Sequence, residues 1–228
     1  MVRRRRGSRP ASEVTLPFSY RLLLAAGLGL ALAGCANHEL DETGGMKVVR
    51  STCPAVAIPA YTGDVTLFNP PQSRDASAFD VEATITNLLK SCDESQPTVH
   101  ATVNFDVVAR RADARAPRDL VLPYFSAVVR GGTRLISKQE GRVLLHFDAG
   151  QYRATGTAQA GAEINKAAAS LPESVSARLN RKRRATDADA TIDPMTDPRI
   201  RAAVNQANFE LLIGFQLDHD QLVYNATR

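Results

Sequence analysis

The chain has 228 residues, with 28 Lys or Arg, 24 Asp or Glu and a pI near 9.1, a balance that would suit an acidic partner. The excess of positive charge lies in residues 1–34, which contain six Arg and one Glu. The remaining 194 residues carry 22 basic and 23 acidic side chains, a net charge of −1, so the composition argues against a nucleic-acid-binding protein.

Residues 1–34 have the pattern of an export signal. Six Arg precede the apolar run from Leu22 to Ala33, which is built from Leu, Ala and Gly. A membrane-spanning helix needs about 20 apolar residues, whereas a signal peptide has roughly 7–15. The run ends in Leu32-Ala33-Gly34-Cys35, which resembles the lipobox of bacterial lipoproteins. That resemblance implies that Cys35 is lipidated on sulfur, becomes the mature N-terminus and is then acylated on its amine.

The cysteine count agrees with this interpretation. Three cysteines in an exported protein leave one over, and Cys35 in the lipobox is that one. Cys53 and Cys92 remain as an even pair in an oxidising compartment, where disulfides persist. We expect these two to be bridged; the alternative is a pair of reduced, buried thiols.

Residues 35–52 are expected to form a flexible tether. The segment after Cys35, Ala36 to Thr52, is polar, contains Gly and shows no sustained periodicity. As a coil it would span roughly 20–25 Å on average. The sequence therefore predicts a folded domain over residues 53–228, held just off a membrane surface.

Alternation of apolar and polar residues dominates that domain. It is strongest in residues 98–108, where one face carries Val99, Ala101, Val103, Phe105 and Val107. Further strands are expected at Ala55–Ile58, Val65–Phe68, Phe79–Ile85, Leu120–Val129, Arg134–Lys138, Val143–Phe147, Tyr152–Thr157 and Phe209–Leu217. Gly131-Gly132 and Asp148–Gln151 are typical of tight hairpins. The sequence therefore predicts an all-β protein, an antiparallel, immunoglobulin-like β-sandwich.

A helical insertion is predicted at about residues 160–206, before the last strand. Ser170 and Glu173 stand at capping-box spacing, which predicts a helix lying on the sandwich. Its apolar stripe would be formed by Leu171, Val175 and Leu179. Thr196 as cap with Pro198 in the first turn predicts a second, shorter helix. The acidic residues 187–198 are expected to form a mobile loop.

The chain ends in a predicted helical turn. Asp218 can cap it, with Gln221 at the third position. Leu222 and Tyr224 would then fold back over one end of the sandwich.

Several motifs together resemble a family, the uncharacterised lipoproteins of alphaproteobacterial type. Besides the lipobox, the matching residues are Cys53-Pro54, Cys92, Tyr124 to Val128, Gly214 to Leu217 and Tyr224-Asn225. The resemblance covers Cys53 to Asn225 apart from the insertion. It implies export and lipid anchoring, and it carries no information about activity.

No catalytic or metal-binding pattern stands out. The four histidines lack a metal-ligand spacing, and no serine lies in a G-x-S-x-G motif. Asp187, Asp189 and Asp193 fit three positions of a calcium loop, but Ile192 and Pro198 occupy positions that need Gly and Glu. We expect no cofactor and no metal.

One local charge cluster has two interpretations. Five cations occur in seven residues: Arg178, Arg181, Lys182, Arg183 and Arg184. Such a run is usually a solvated face. The functional interpretation, with the first three clustered on one side of a helix, is contact with an anionic envelope surface: acidic phospholipids, lipopolysaccharide phosphates or peptidoglycan carboxylates.

These patterns predict a lipid-anchored protein of the cell envelope that acts as a non-enzymatic interaction or assembly module. Ala36 follows the lipidated cysteine where inner-membrane lipoproteins typically carry Asp, so that sorting resemblance implies the periplasmic face of the outer membrane. The alternative is an envelope enzyme, or an accessory to one, with a polar site on the sandwich face around His100 and His146. The protein partner is not specified by the sequence.

Overall fold

A computed structural model describes residues 50–181, 183 and 185–228. The predictions for the signal peptide, for Cys35 and for the tether up to Val49 lie outside the described residues, and so do Lys182 and Arg184. Within the described part, every helix is too short or too polar to cross a bilayer.

Eight strands form two four-stranded sheets that pack face to face. Sheet I has the order β1-β8-β5-β6 and sheet II the order β2-β3-β4-β7. The strands are β1 Ala55–Ala57, β2 Asp64–Phe68, β3 Phe79–Asp93, β4 Thr98–Arg111, β5 Arg118–Arg130, β6 Arg134–Phe147, β7 Arg153–Asn165 and β8 Phe209–Phe215. All neighbours are antiparallel except β1 and β8. The predicted all-β sandwich is confirmed.

The strand order does not confirm the immunoglobulin-like part of the prediction. Strands β2, β3 and β4 follow one another in the same sheet as a meander. A constant-type immunoglobulin domain has the sheets ABED and CFG, in which the chain crosses to the other sheet after two consecutive strands at most.

The core lies between the sheets, where alternating residues of each strand point inward. In β4 the inward residues Val99, Val103 and Val107 are 0% exposed, and Phe105 is 1% exposed. They meet inward residues of sheet I, among which Tyr124 contacts the Phe105 ring edge-on at 5.1 Å between centroids. The periodicity of residues 98–108 therefore reports burial of one face, as predicted.

Three strands are much longer than predicted. Strand β3 continues past Ile85 to Asp93. The segments 134–138 and 143–147 belong to one strand, β6, and β7 continues to Asn165. The helical insertion therefore starts after residue 165 rather than at Ala160. Ala-rich sequence favours helix, but pairing with β4 and burial of Ala160, Ala162 and Ile164 hold this segment in the sheet.

The two predicted hairpins have different outcomes. Gly131 and Gly132 join β5 to β6 with φ values of 64° and 77°, which glycine adopts without strain, so this hairpin is confirmed. The prediction for Asp148–Gln151 is wrong, since this turn crosses from β6 in sheet I to β7 in sheet II. The turn residues reverse the chain, but they do not decide which strand β7 pairs with.

Within the part of the chain that the structure describes, four α-helices accompany the sheets: α1 Lys166–Ala169, α2 Glu173–Leu179, α3 Pro198–Ala207 and α4 His219–Thr227. Two single 3-10 turns lie at Ala76–Ala78 and Pro194–Thr196. Ser170 does not cap α2, because its hydroxyl donates to the Lys166 carbonyl and Pro172 stands before the helix. The cap of α3 is Asp197, one residue after the predicted Thr196. The predicted apolar stripe on α2 is only half-buried.

Helix α4 begins as predicted and is longer than one turn. Asp218 and Gln221 form both bonds of a capping box. The Tyr224 ring packs edge-on against Phe68 of β2 at 5.2 Å between centroids. Leu222 stays 41% exposed, so the prediction that it folds over the sandwich is wrong.

Candidate functional site

Cys53 and Cys92 are joined by a disulfide, as predicted, with their Cα atoms 6.2 Å apart. The bridge ties the segment just before β1 to the end of β3. Nearby, the Thr52 hydroxyl and amide each donate to Glu94 at 2.8 Å. These bonds, with a further one from Ser51, lower the pKa of Glu94. The described chain therefore begins firmly attached to one end of the sandwich.

That end, here called the helix end, also holds the insertion. Helix α3 lies against α1 and β5, and Ala169 and Ile200 are 3% and 1% exposed. The Gly131 amide donates to the Asn208 carbonyl at 2.9 Å, and Arg50 donates to the Asn208 side chain at 3.2 Å.

The described cations of the basic run are paired within the insertion. Helix α2 ends at Leu179, so the expected clustering of Arg178 and Arg181 on one helix face is wrong. Arg178 lies 3.0 Å from an Asp197 oxygen, and Arg181 binds Asp189. The Arg183 guanidinium donates to the Ile192 carbonyl at 2.6 Å. The acidic segment 187–198 folds back onto the basic run and thus neutralises part of its charge.

The two strand histidines do not share a site. His100 lies on the outer face of sheet II, 3.6 Å from Glu163, while His146 lies on the outer face of sheet I. These faces point away from each other, so the polar site predicted around both residues is wrong as one site. No group of three or more potential metal ligands occurs among the residues that the structure describes.

His146 is held between two carboxylates. Its Nδ1 lies 2.5 Å from Asp119, the residue opposite it on β5, and its Nε2 lies 3.3 Å from Asp148. The hydrogen bond with Asp119 is the main cause that raises the pKa of His146, and Asp148 adds to it. This triad lies on the exposed surface, where it favours the protonated ring.

The opposite end of the sandwich, here called the arginine end, is closed by Arg111. This side chain is 4% exposed, and its guanidinium lies over the Phe147 ring at 4.9 Å. Its donors reach four backbone carbonyls, those of Ala114, Ala116, Asp148 and Gln151, at 2.7–3.4 Å. One buried cation therefore holds both loops of this end.

A shallow polar cleft lies beside those loops, lined by Asn69, Asp80, Asp113 and Tyr152 among others. Its acidic groups are already satisfied within the chain. Asp80 accepts two bonds from Arg118 at 2.6 and 2.9 Å, and Asp113 pairs with Arg115. The cleft thus offers few free groups for chemistry.

The two long sides of the sandwich differ in how their edge strands are protected. On one side, β1 has three residues and β2 five, and α4 packs on β2. The Asn225 amide of α4 donates to the carbonyls of Tyr61 and Asp64 at 2.8 and 2.7 Å. On the other side, β6 has 14 residues and β7 has 13.

The outer edge of β6 is uncovered over residues 134–142. No strand among residues 50–181, 183 and 185–228 pairs with this outer edge. Eight of these nine residues are exposed, both those on the inward face of the strand and those on its outward face. Leu135 and Ile136 are 58% and 49% exposed. Near Leu144 the edge is closed, since a Cβ on Gly156 of β7 would lie 2.5 Å from the Leu144 carbonyl.

This edge, which we call the β6 edge, was missed by sequence reasoning. The stretch Lys138 to Arg142 is polar on both faces and separates two short apolar segments, so it indicated a break. The signal that could have revealed it is the absence of Pro over the whole length from Arg134 to Phe147.

Comparison with protein-family models, curated proteins and solved structures found no match to this chain.

Proposed function

We propose that this chain is a lipid-anchored cell-envelope protein that acts as a non-enzymatic interaction module on the periplasmic face of the outer membrane. The interaction role rests on the uncovered β6 edge. An unpaired edge presents a row of backbone amides and carbonyls that can bind another extended chain. Leu135 and Ile136 add exposed apolar surface to it.

The anchor rests on the lipobox at Cys35. The Cys53–Cys92 bridge supports export, because disulfides persist in oxidising compartments and are rare in the cytosol. Ala36, in the place where inner-membrane lipoproteins typically carry Asp, supports the outer membrane as the destination.

The anchor is tested by metabolic labelling with a palmitate analogue and by membrane fractionation in a diderm bacterial host. The wild-type chain should be labelled, shortened and recovered with the outer membrane. Cys35→Ser should accumulate as an unlabelled precursor, because lipidation precedes cleavage. A Cys53→Ser variant is the matched control and should still be labelled. Maturation and membrane recovery of Cys35→Ser would show that the lipobox assignment is wrong.

The interaction role is tested with a photo-crosslinking amino acid at Gln139 on the β6 edge. Thr86, an exposed residue of the interior strand β3, is the matched control. Irradiation of intact cells should give adducts from position 139 and none from position 86. Adducts at neither position, or equally at both, would contradict an interaction surface at this edge.

The non-enzymatic part is tested on the purified protein with envelope hydrolase substrates. We expect no turnover above that of a denatured sample. Turnover that His146→Ala abolishes would overturn this part of the proposal and leave the anchor standing.

The proposal includes contact of the basic run with an anionic envelope surface. The described chain begins at the helix end, and the basic run belongs to the insertion at that end. Acidic phospholipids, lipopolysaccharide phosphates or peptidoglycan carboxylates are the surfaces concerned. Replacing Arg181, Lys182, Arg183 and Arg184 with Gln should weaken salt-sensitive binding to anionic vesicles. Equal binding at low salt would identify the run as a solvated face.

A further inference from the structure

We propose that a second copy of this chain occupies the β6 edge, in antiparallel pairing centred on Gln139. This inference rests on the interaction role proposed above and names the partner. It would join sheet I of one copy to sheet I of the other, so that two four-stranded sheets become one continuous sheet.

The pairing has to keep the two cores on the same side. Successive residues of a strand point to opposite faces, so each residue must oppose one of the same face. In β6 the inward residues include Val143, Leu145 and Phe147, which are buried. The outward face carries Lys138, Glu140 and Arg142. A two-fold antiparallel pair that meets this condition is centred on a residue rather than between two.

The outward charges discriminate among the possible centres. Within one chain Lys138 donates to the Gln216 side chain at 2.6 Å and lies 3.8 Å from Glu140, and both side chains remain partly exposed. A centre at Gln139 sets Lys138 opposite Glu140 of the second copy as well, and the symmetry repeats this pair. A centre at Lys138 opposes two Lys, and a centre at Glu140 opposes two Glu. Opposite charges across a strand pair are stabilising and like charges are destabilising.

The limits of the regular, uncovered stretch exclude the other registers that match charges. A centre at Ser137 would set Arg134 opposite Glu140, but the bulge at Ile136, where the register with β5 shifts, interrupts that pairing. A centre at Gly141 would also match charges, with Glu140 opposite Arg142 of the second copy. However, only residues 140–142 could then pair within the uncovered stretch, whereas a centre at Gln139 pairs residues 137–141, which lie between the bulge at Ile136 and Arg142. Beyond Arg142 the edge is blocked where Gly156 approaches Leu144.

Charged residues on an edge strand usually prevent association. Here their order, Lys, Glu and Arg at alternate positions, blocks the neighbouring registers and permits one. The charges therefore select a specific dimer.

The test places a cysteine on the two-fold axis in the full-length chain in its native membranes. Opposing Cβ atoms of an antiparallel pair lie about 4.5–5.5 Å apart, close to the separation that a disulfide spans. Gln139→Cys should give a disulfide-linked dimer on mild oxidation, and Thr86→Cys should give none. The native Cys53–Cys92 pair is already bridged.

The register is tested by charge reversal in the Gln139→Cys chain. Adding Glu140→Lys should cause loss of the dimer, because it opposes like charges at both symmetric positions. Adding Lys138→Glu together with Glu140→Lys should restore it. Failure to restore the dimer would overturn this register.

The other outcomes separate this inference from the proposed function. Crosslinking of position 139 to a different envelope protein, or to residues 36–49 of the same chain, would overturn self-association. A different envelope protein as partner would leave the interaction role intact. The absence of any adduct from the β6 edge would overturn both.

Discussion

The two ends of the sandwich are closed by opposite means. The helix end is sealed by apolar side chains such as Ile200 and by the Cys53–Cys92 bridge. The arginine end is sealed by one buried cation that serves four backbone carbonyls. Closure by packing is spread over many contacts, whereas closure by Arg111 depends on a single side chain. We therefore expect the arginine end to be the more sensitive to a single substitution.

The largest effect is expected from Arg111→Ala. It takes a donor away from four carbonyls, of which those of Ala114 and Asp148 keep the backbone amides of Gly150 and Gln151 as donors. Each of the other two carbonyls costs roughly 1–3 kcal/mol when no water reaches it, and the packing of the guanidinium over Phe147 is lost as well. The free energy of unfolding should fall by about 4 kcal/mol or more, measured by urea denaturation. Arg115→Ala is the control, since that side chain is 91% exposed and should matter little. A loss no larger than that of the control would mean that the arginine end is held in another way.

Loss of the disulfide comes next. In the chain-entropy account, a closed loop of 39 residues stabilises the fold by about 2–4 kcal/mol. The double variant Cys53→Ser/Cys92→Ser should therefore unfold at lower denaturant concentration than the oxidised wild type. The reduced wild-type protein should unfold at the same denaturant concentration as the double variant. If oxidised and reduced wild type unfold together, the bridge does not stabilise the helix end.

Ile200→Ala should have a smaller effect on the same end. Deleting buried methyl groups costs about 2–3 kcal/mol where the surroundings can partly collapse. Ile192→Ala is the control, because Ile192 is 53% exposed. Thermal unfolding of both variants measures the difference. Equal stability of the two would show that α3 contributes little to the helix end.

The smallest effect concerns His146 at the arginine end. Its pKa lies above the ordinary value of 6.5, mainly because of the bond with Asp119. A raised pKa in the folded state stabilises the fold below the unfolded pKa, and this contribution disappears as the pH rises through the folded pKa. Wild type should thus exceed His146→Gln in thermal midpoint only at acidic pH.

The same interaction can be measured directly. An NMR titration of the His146 ring should give a pKa above 6.5 in wild type, and Asp119→Asn should move it back toward 6.5. An unchanged titration in Asp119→Asn would show that Asp119 does not hold the ring.

The parts of the fold that follow from local pattern could be predicted from the sequence. Period-two alternation located β4 because one face of that strand is buried. The odd cysteine count isolated the Cys53–Cys92 pair, and the spacing of Asp218 and Gln221 located the start of α4.

The parts that depend on distant partners could not be predicted. Asp148–Gln151 has turn chemistry, but only the pairing of β7 with β4 makes it a crossing between sheets. Arg111 looks like an ordinary charged residue at a strand end. Two of its four acceptors lie in the loop that follows it, but the other two, Asp148 and Gln151, come from a loop remote in sequence. The β6 edge was hidden for a related reason, since an uncovered strand buries no face that would show as alternation.

The Cys53–Cys92 bridge also determines where mechanical tension would act. A force applied to the chain before Arg50 acts on Cys53. The disulfide transmits this force to Cys92, which pairs with Ala101 of β4. Without the disulfide, the force would act on β1, and the pairing of its three residues with β8 could break one residue at a time. Tension applied to the chain before Arg50 would thus act on the 15-residue strand β3, while the three-residue strand β1 stays in place.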